Sequence, residues 1–307
     1  MSTLWVDTDF GFDDLWALLV LRKLGARVAG ISLVAGNAPL TQVISNALGA
    51  QKAYGFDASI YAGADRPLYR NAETAERILG PRGMLSRGQH LPDGGLLNEA
   101  KDANTALSTW LRSAQPSKRR DILAIGPLTN IAHLLQKEPS LIPTITRLIW
   151  MGGSIGAGNH SAQAEFNALA DPEAVEIVAN AGLALDVVDL MFCRSVAFGP
   201  DDVPDCDPLT RDLLGGYLDI GLTRGRTEMA IYDPNAALVA CQPESFIFSF
   251  CDMSVSTRTG VTYGKTTFKE NRNGLTRLVV GKKIDAVRTC LHALAWDNVN
   301  VDRHKPE

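Results

Sequence analysis

Four carboxylates fall within eight residues near the start of the chain, in Asp7-Thr8-Asp9-Phe10-Gly11-Phe12-Asp13-Asp14. The residues before them, 3–7, form a short β-rich run. Residues 13–24 carry Leu15, Trp16, Leu18, Leu19 and Leu21 and stop at Gly25, which predicts a helix opened by an acid. The acids therefore stand at a strand end and a helix start, with Gly11 permitting the sharp turn between them. A helix dipole tolerates Asp13 and Asp14 in its first turn, an effect worth at most about 1 kcal/mol per exposed acid. That is too little to hold four carboxylates together in a cleft. Either some are protonated, some point away as caps and solvated acids, or a cation sits among them. All-oxygen ligands suit a hard ion, Ca²⁺ or Mg²⁺.

The elements that must position these acids follow in alternation. Strands are expected at 28–34, 122–125, 144–150 and 183–188, with helices at 41–54, 128–136 and 172–180. This order predicts an α/β fold: a single domain over 1–307 with a mostly parallel central sheet and flanking helices. Such sheets bind ligands beyond the carboxyl ends of their strands, which is where the acids lie. The tail differs. Residues 246–257 and 265–280 read as strands, the second broken by a hairpin-type Asn273-Gly274 turn, and 284–295 as a final helix. The expectation is a C-terminal hairpin and helix. Two segments interrupt the rhythm, 71–95 (rich in Gly, Arg and Pro) and 195–207 (acidic, with two prolines), and each is a candidate loop or lid.

Composition excludes several function classes. The 307 residues are 46% hydrophobic and 21% charged, which is ordinary for a folded chain. A net charge of −4 lacks the basic footprint that nucleic-acid binding requires. No apolar run reaches the length of a membrane span, and the N-terminal residues have no signal-peptide pattern. Five scattered cysteines without a C-x-x-C pair predict reduced thiols in a cytoplasmic protein and no cysteine-based zinc site.

The ordered motifs resemble one family. Asp7-x-Asp9-x-Gly11-x-Asp13-Asp14 is similar to the opening of the inosine/uridine-preferring nucleoside hydrolases. Gly36-Asn37 with Asn46-Ala47, then Gly126-Pro127-Leu128-Thr129-Asn130-Ile131-Ala132, follow in the family's order. Met151-Gly152-Gly153, Asn159, Glu165-Phe166-Asn167 and Asp171-Pro172-Glu173-Ala174 resemble its central block, and Tyr232-Asp233-Pro234 falls at its late acid. The resemblance implies a Ca²⁺-dependent ribonucleoside hydrolase that cleaves the N-glycosidic bond to ribose and free base. It implies Asp9, Asp14, the carbonyl of Ile125 and Asp233 as ion ligands, Asp9 as general base and Asp13 as acceptor of a ribose hydroxyl. Asn159, Glu165 and Asn167 would contact the ribose, Met151 its face, and Asn37 the same edge. Water on such an ion loses a proton more readily, and carboxylates with amide oxygens steady the cationic ribosyl transition state. Glu165 and Asn167, two apart, would face one way if extended. Asp7 is expected to orient a ligand or loop, and Thr129 and Asn130 to cap a helix. A homodimer or homotetramer is implied as the assembly, and a small-molecule ribonucleoside, with no nucleic acid or membrane, as the partner.

Two positions depart from the family pattern. Phe10 stands where proline is usual, with bulk that can alter the loop or wall off part of the pocket. Tyr232 replaces the histidine that helps the leaving group, and can instead donate a hydrogen bond or stack on the base. The resemblance also implies Tyr217, Arg224, Arg226 and Glu228, upstream of Asp233, as base-site candidates, and His160, next to Asn159, could approach the pocket. Two other readings remain. One is a nucleoside- or ribose-binding homologue with weak or no turnover. The other is a phosphohydrolase of the haloacid dehalogenase type, which Gly11 opposes by standing where a hydroxylic residue is usual.

Overall fold

The structure is a computed structural model that describes residues 3–97, 102–114 and 118–295. The strands are β1 (Thr3–Thr8), β2 (Arg27–Leu33), β3 (Ile60–Ala62), β4 (Arg120–Ala124), β5 (Arg147–Met151), β6 (Leu185–Val188), β7 (Ala197–Phe198), β8 (Met229–Ala230), β9 (Phe246–Val255), β10 (Thr266–Glu270) and β11 (Thr276–Lys282). The helices are α1 (Phe12–Lys23), α2 (Leu40–Tyr54), α3 (Glu76–Leu79), α4 (Ala103–Arg112), α5 (Thr129–Lys137), α6 (Phe166–Ala170), α7 (Pro172–Ala179), α8 (Leu190–Arg194), α9 (Pro208–Leu222), α10 (Asp233–Cys241) and α11 (Ala286–His292). Among the described residues one nine-stranded sheet runs β10-β9-β11-β6-β5-β4-β1-β2-β3, and β7 pairs separately with β8. From β11 through β3 the neighbours are parallel, and β9 and β10 add antiparallel partners.

Alternation along the buried strands divides the core. Leu4, Val6, Leu123, Ile149 and Val279 pack against α1, α2, α9, α10 and α11 on one face. Trp5, Ile122, Leu148, Trp150 and Leu278 pack against α4, α5 and α7 on the other. The result is three layers, as a parallel sheet covered on both faces requires. The chain moves outward from β1 through β2 to β3, then returns to lay β4, β5 and β6 on the other side of β1. The order reverses between β1 and β4, and a crevice opens there at the carboxyl ends.

Most expected elements are present, with four corrections. Residues 139–144 form a 3₁₀ turn containing Pro139 and Pro143, so β5 starts at Arg147 rather than Thr144. The Asn273-Gly274 turn does not pair β10 with β11, because β9 lies between them. The C-terminal hairpin is formed by β9 and β10, and Gly274 sits against the Cys251 carbonyl, where a Cβ would lie 2.3 Å from the oxygen. Glu165 and Asn167 are not in an extended run: Glu165 is the N-cap of α6 and Asn167 lies in its first turn. Finally, α1 is capped by Gly11, and Asp14 reaches back to its N–H at 2.7 Å.

Away from the crevice, a buried ionic network ties adjacent strands. Arg147 on β5 pairs with Asp121 on β4 and Asp186 on β6, each at 3.1 Å, and Arg277 on β11 forks onto Asp186. Without Arg147 each acid keeps one cation, Asp121 the half-exposed Arg119 and Asp186 the fork of Arg277, so the loss is that of charge-assisted hydrogen bonds rather than of all compensation. Arg147→Ala is therefore expected to destabilise by about 1.5–3 kcal/mol in urea unfolding, whereas Arg112→Ala, which breaks a partly exposed pair with Glu138, should cost below about 1 kcal/mol.

Candidate active site

A cavity of about 240 Å³ opens at this crevice. Of the residues picked from the sequence, Asp9, Asp13, Asn37, Ile125, Met151, Asn159, Glu165, Asn167, Tyr232 and Asp233 all line it, and Asp14 lies directly behind. Each arrives from a strand end or the loop beyond it. Asp9 follows β1, Asn37 follows β2, Ile125 follows β4 and Met151 ends β5. Asp13, Asp14 and Asp233 enter from the first turns of α1 and α10, where the helix dipoles favour negative charge.

The turn holding Asp9 is strained. Phe10 has φ 37°, in the left-handed region, and it is the only non-glycine residue with positive φ among the described residues. A proline ring cannot adopt that angle. Such a backbone costs on the order of 1–3 kcal/mol and persists only where its surroundings enforce it. Here the Phe10 N–H donates to Thr8 Oγ1 (3.1 Å), its carbonyl accepts from Asn46 Nδ2 (3.1 Å), and its ring is buried in the core. The bulk of Phe10 thus points away from the cavity, which it does not line. Gly36 makes room for Asp9: a Cβ there would fall 2.1 Å from Asp9 Oδ2.

Neutral donors hold the acids. Asp9 accepts from the Asn37 backbone N–H (2.8 Å) and side-chain Nδ2 (3.2 Å). Asp14 accepts from Thr8 Oγ1, the Gly11 N–H and Asn37 Nδ2 (3.1 Å). Oxygens of Asp13, Asp14 and Asp233 lie within 4.8 Å of one another. Asp9 stands next to them, close enough for its charge to act on Asp233. Burial, and after it the neighbouring negative charges, pushes Asp13 up to about 7 and Asp9 and Asp233 well above the usual carboxylate range. Burial raises Asp14 to about 6 against the hydrogen bonds from Thr8 and Gly11. Asp7 lies deeper, outside the cavity lining. It accepts from Ser32 and from Asn130 Nδ2 (2.8 Å), and burial lifts it to about 7. Asp13, Asp14 and Asp233, with Asp9 beside them, form an all-oxygen donor set that fits a hard divalent cation.

The opposite wall comes from α6 and the loop before it. Glu165 caps the helix: Oε1 accepts from Asn167 N–H, and Oε2 from Gly153 N–H (2.8 Å) and Ala168 N–H (3.1 Å). Burial pushes it up to about 7. Asn167 Nδ2 donates to the Met151 carbonyl (3.0 Å), and Asn159 Oδ1 accepts from Phe166 N–H (2.9 Å). The remaining amide atoms, Asn167 Oδ1 and Asn159 Nδ2, belong to side chains at the cavity wall. Tyr217 donates to the Ala230 carbonyl, and burial lifts the half-buried Tyr232 to about 12, so its phenol stays protonated at neutral pH.

Thr129 and Asn130 are not caps. Leu128 is the N-cap of α5, Thr129 binds Asp171, and Asn130 bridges Asp7 to the Leu33 carbonyl and the Ala64 N–H. Of the two candidate lids, 71–95 supplies Ala75, Ile78 and Leu79 to the cavity, and its Glu73 binds His160 Nε2 at 2.6 Å. No residue of 195–207 lines the cavity, and neither does Glu228. The sequence reading missed Thr8 and Arg194. Arg194 closes α8, directly after β6, so the rule that ligands gather beyond strand ends was the signal for it.

Residues 4–297 match the family described as inosine-uridine preferring nucleoside hydrolase. The non-specific ribonucleoside hydrolase RihC of Salmonella newport is 33% identical over 270 residues, covering 85% of each chain. An uncharacterized protein of Schizosaccharomyces pombe is 40% identical over 176 residues, which are 57% of this chain and 52% of that one. Among solved structures, a plant nucleoside hydrolase superposes with a TM-score of 0.87 at 20% identity, covering 96% of this chain and 99% of that one. A purine-preferring ribonucleoside hydrolase from Gardnerella vaginalis gives 0.84 at 22% identity, covering 95% and 99%. At that identity the likeness is one of fold. The chain belongs to the inosine-uridine preferring nucleoside hydrolase family, and it is an enzyme of that class, a hydrolase acting on nucleosides. The family is metal-dependent, and the acidic group here can hold a metal ion.

The electrostatics make a prediction for the metal-free protein. Folded pKa values of about 6 to 7 at Asp7, Asp13, Asp14 and Glu165 exceed those of an unfolded chain, so the folded state holds protons that the unfolded state releases. The stability they contribute is complete below about pH 4 and is lost as pH rises through about 6 to 7. In chelator, the melting temperature should fall by several degrees between about pH 5 and about pH 8. A flat or rising profile would show that these acids are not buried together.

Proposed function

We propose that the protein hydrolyses the N-glycosidic bond of ribonucleosides to ribose and free base, with Ca²⁺ as its metal. The observation that carries this reading is the convergence, in a chain of this family, of acids and amides around one nucleoside-sized cavity at the sheet's switch point. The residues that would hold the ion are Asp9, Asp14, Asp233 and the carbonyl of Ile125. Asp13, whose oxygens approach those of Asp14 and Asp233, is left to accept a hydrogen bond from a ribose hydroxyl. When bound, the ion keeps these carboxylates ionised and acidifies a water in contact with it.

The chain's own residues supply the rest. Asp9, fixed by both nitrogens of Asn37, takes the proton of the attacking water on a carboxylate oxygen. Asn37, Asn159 and Asn167 orient the sugar, and Met151 covers its face. Glu165, with its oxygens turned toward the N–H groups of α6, fixes Asn167 and places negative charge beside the ribosyl group as that group turns cationic. Tyr232 walls the base. The five cysteines, all present as free thiols, support a reducing, cytoplasmic setting, and the family resemblance supports a homodimer or homotetramer.

One observation favours a second reading, a binding protein with weak turnover: among the described residues that line the cavity, neither His160 nor Tyr232 is a free acid poised to protonate a leaving group. His160 is engaged by Glu73, and Tyr232 is a weak acid. The two readings separate in a reducing-sugar assay over a panel of ribonucleosides with millimolar Ca²⁺. Ribose release is expected, abolished by chelator, and Asp9→Asn should lower kcat by about 10³ with a smaller effect on KM. Nucleoside binding without ribose release would support the second reading, and neither binding nor release would contradict both.

A further inference from the structure

A second cavity, of about 700 Å³, lies at the opposite end of the sheet, where β1, β2 and β4 begin. No residue that lines the crevice lines it as well. Its charged lining is Arg22, Arg27, Lys118 and Arg120 against the single acid Asp57. The whole chain has 34 acids to 30 lysines and arginines, so this local excess runs against composition. Register brings two of the arginines together. Thr3 pairs with Arg27 of β2 on one side and with Arg120 of β4 on the other. Partners in a parallel ladder share a face, so Arg27, Thr3 and Arg120 form one row. Trp5 and Ile122, each two residues further along, place that row on the face covered by α4. Strand spacing sets the two arginines about 10 Å apart, so both can reach a group seated over Thr3.

Arg120 is only 7% exposed. An arginine that deep is ordinarily matched by a carboxylate. Among the described residues, none lies within ion-pair distance of Arg27, Lys118 or Arg120. The Arg120 guanidinium lies over the Trp110 ring, and its Nη2 donates to the Ser113 carbonyl (3.2 Å) and hydroxyl (3.3 Å). Those partners are neutral, and Nε and Nη1 have no hydrogen-bond partner among the described residues. Arg22 is committed elsewhere, to the Tyr54 carbonyl at 2.7 Å and the Phe56 ring. We propose that this cavity is an anion site that holds a phosphate dianion, free or as the monoester of a small sugar, between Arg27 and Arg120 with Lys118 beside them. Three cations against one acid favour a dianion over a single carboxylate, and guanidinium forks match phosphate oxygens in pairs. Phe56 and Trp110, the aromatic side chains of the lining, each already pack against an arginine and a second ring. The cavity thus offers charge rather than a stacking platform for a nucleobase. The anion supplies the negative charge that Arg120 lacks, whether or not the crevice hydrolyses nucleosides.

Calorimetric titration of inorganic phosphate, ribose 5-phosphate and neutral ribose into the full-length protein at low salt tests this. Chelator is present throughout, so that no metal at the crevice can draw the phosphate there. Both phosphates should bind at millimolar concentration or below, and ribose should not. Tighter binding of ribose 5-phosphate identifies the ligand as a monoester, and equal affinities identify it as the free ion. Arg120→Met should weaken phosphate binding by about 10-fold or more, as loss of a charge-assisted contact does. Arg27→Ala, at an exposed position where folding is not at risk, should weaken it by about 3-fold or more and leave the melting temperature unchanged. Should Arg120→Met fail to fold, Arg27→Ala decides. No binding to the wild-type protein, or ribose bound as tightly as its phosphate, would overturn the proposal. Binding that survives both substitutions would also overturn it, as an adventitious ion only.

Discussion

The structure turns on the burial of several carboxylates in one small volume. Taking a charged group out of water costs several kcal/mol, and like charges a few ångströms apart add to that cost. The fold offsets part of it with neutral donors: Asn37 serves both Asp9 and Asp14, Thr8 and Gly11 serve Asp14, and Ser32 and Asn130 serve Asp7. None of these groups carries positive charge. The arginines of the buried network are spent on Asp121 and Asp186, away from the crevice. The remaining repulsion is what a cation at the site would relieve, and the Phe10 turn, at φ 37°, joins Asp9 to the helix that carries Asp13 and Asp14.

This arrangement explains why the site lies where the strand order reverses. Side chains can converge from β1 and β4 only where the connections after them diverge, leaving a gap that no crossover helix fills. The helices opening with Asp13-Asp14 and with Asp233 then aim their positive ends at the gap. The opposite wall, hinged on Glu165 as the cap of α6, fixes the amides at a set distance from the acids. Arg194, Arg224 and Arg226 also line the cavity and bring to it the positive charge that its acids lack.

Much of this was legible in the amino-acid sequence. Strands and helices around the crevice have strong periodicity, because a sheet buried on both faces leaves little freedom in side-chain choice. The site residues could be found because their chemistry is dense and ordered along the chain, from the acids at 7–14 to Asp233. Geometry at the next level could not. Nothing in the string Glu165-Phe166-Asn167 distinguishes an extended run from a capped helical turn. The Asn273-Gly274 pair carries the same local signal whether it closes a hairpin or passes across the end of β9. Phe10 reads as a bulky pocket residue until its backbone angle places the ring in the core. Arg194 and Arg226 look like ordinary surface cations until the fold sets them against a cavity. Each of these depends on contacts between segments far apart in sequence.

The central claim is that the buried acids form one cation site, and calorimetric titration of Ca²⁺ into chelator-stripped protein at neutral pH addresses it most directly. The account predicts a single ion per chain, bound with release of protons, and loss of that binding in both Asp14→Asn and Asp233→Asn. Absence of binding to the stripped protein, or binding that survives both substitutions, would contradict it.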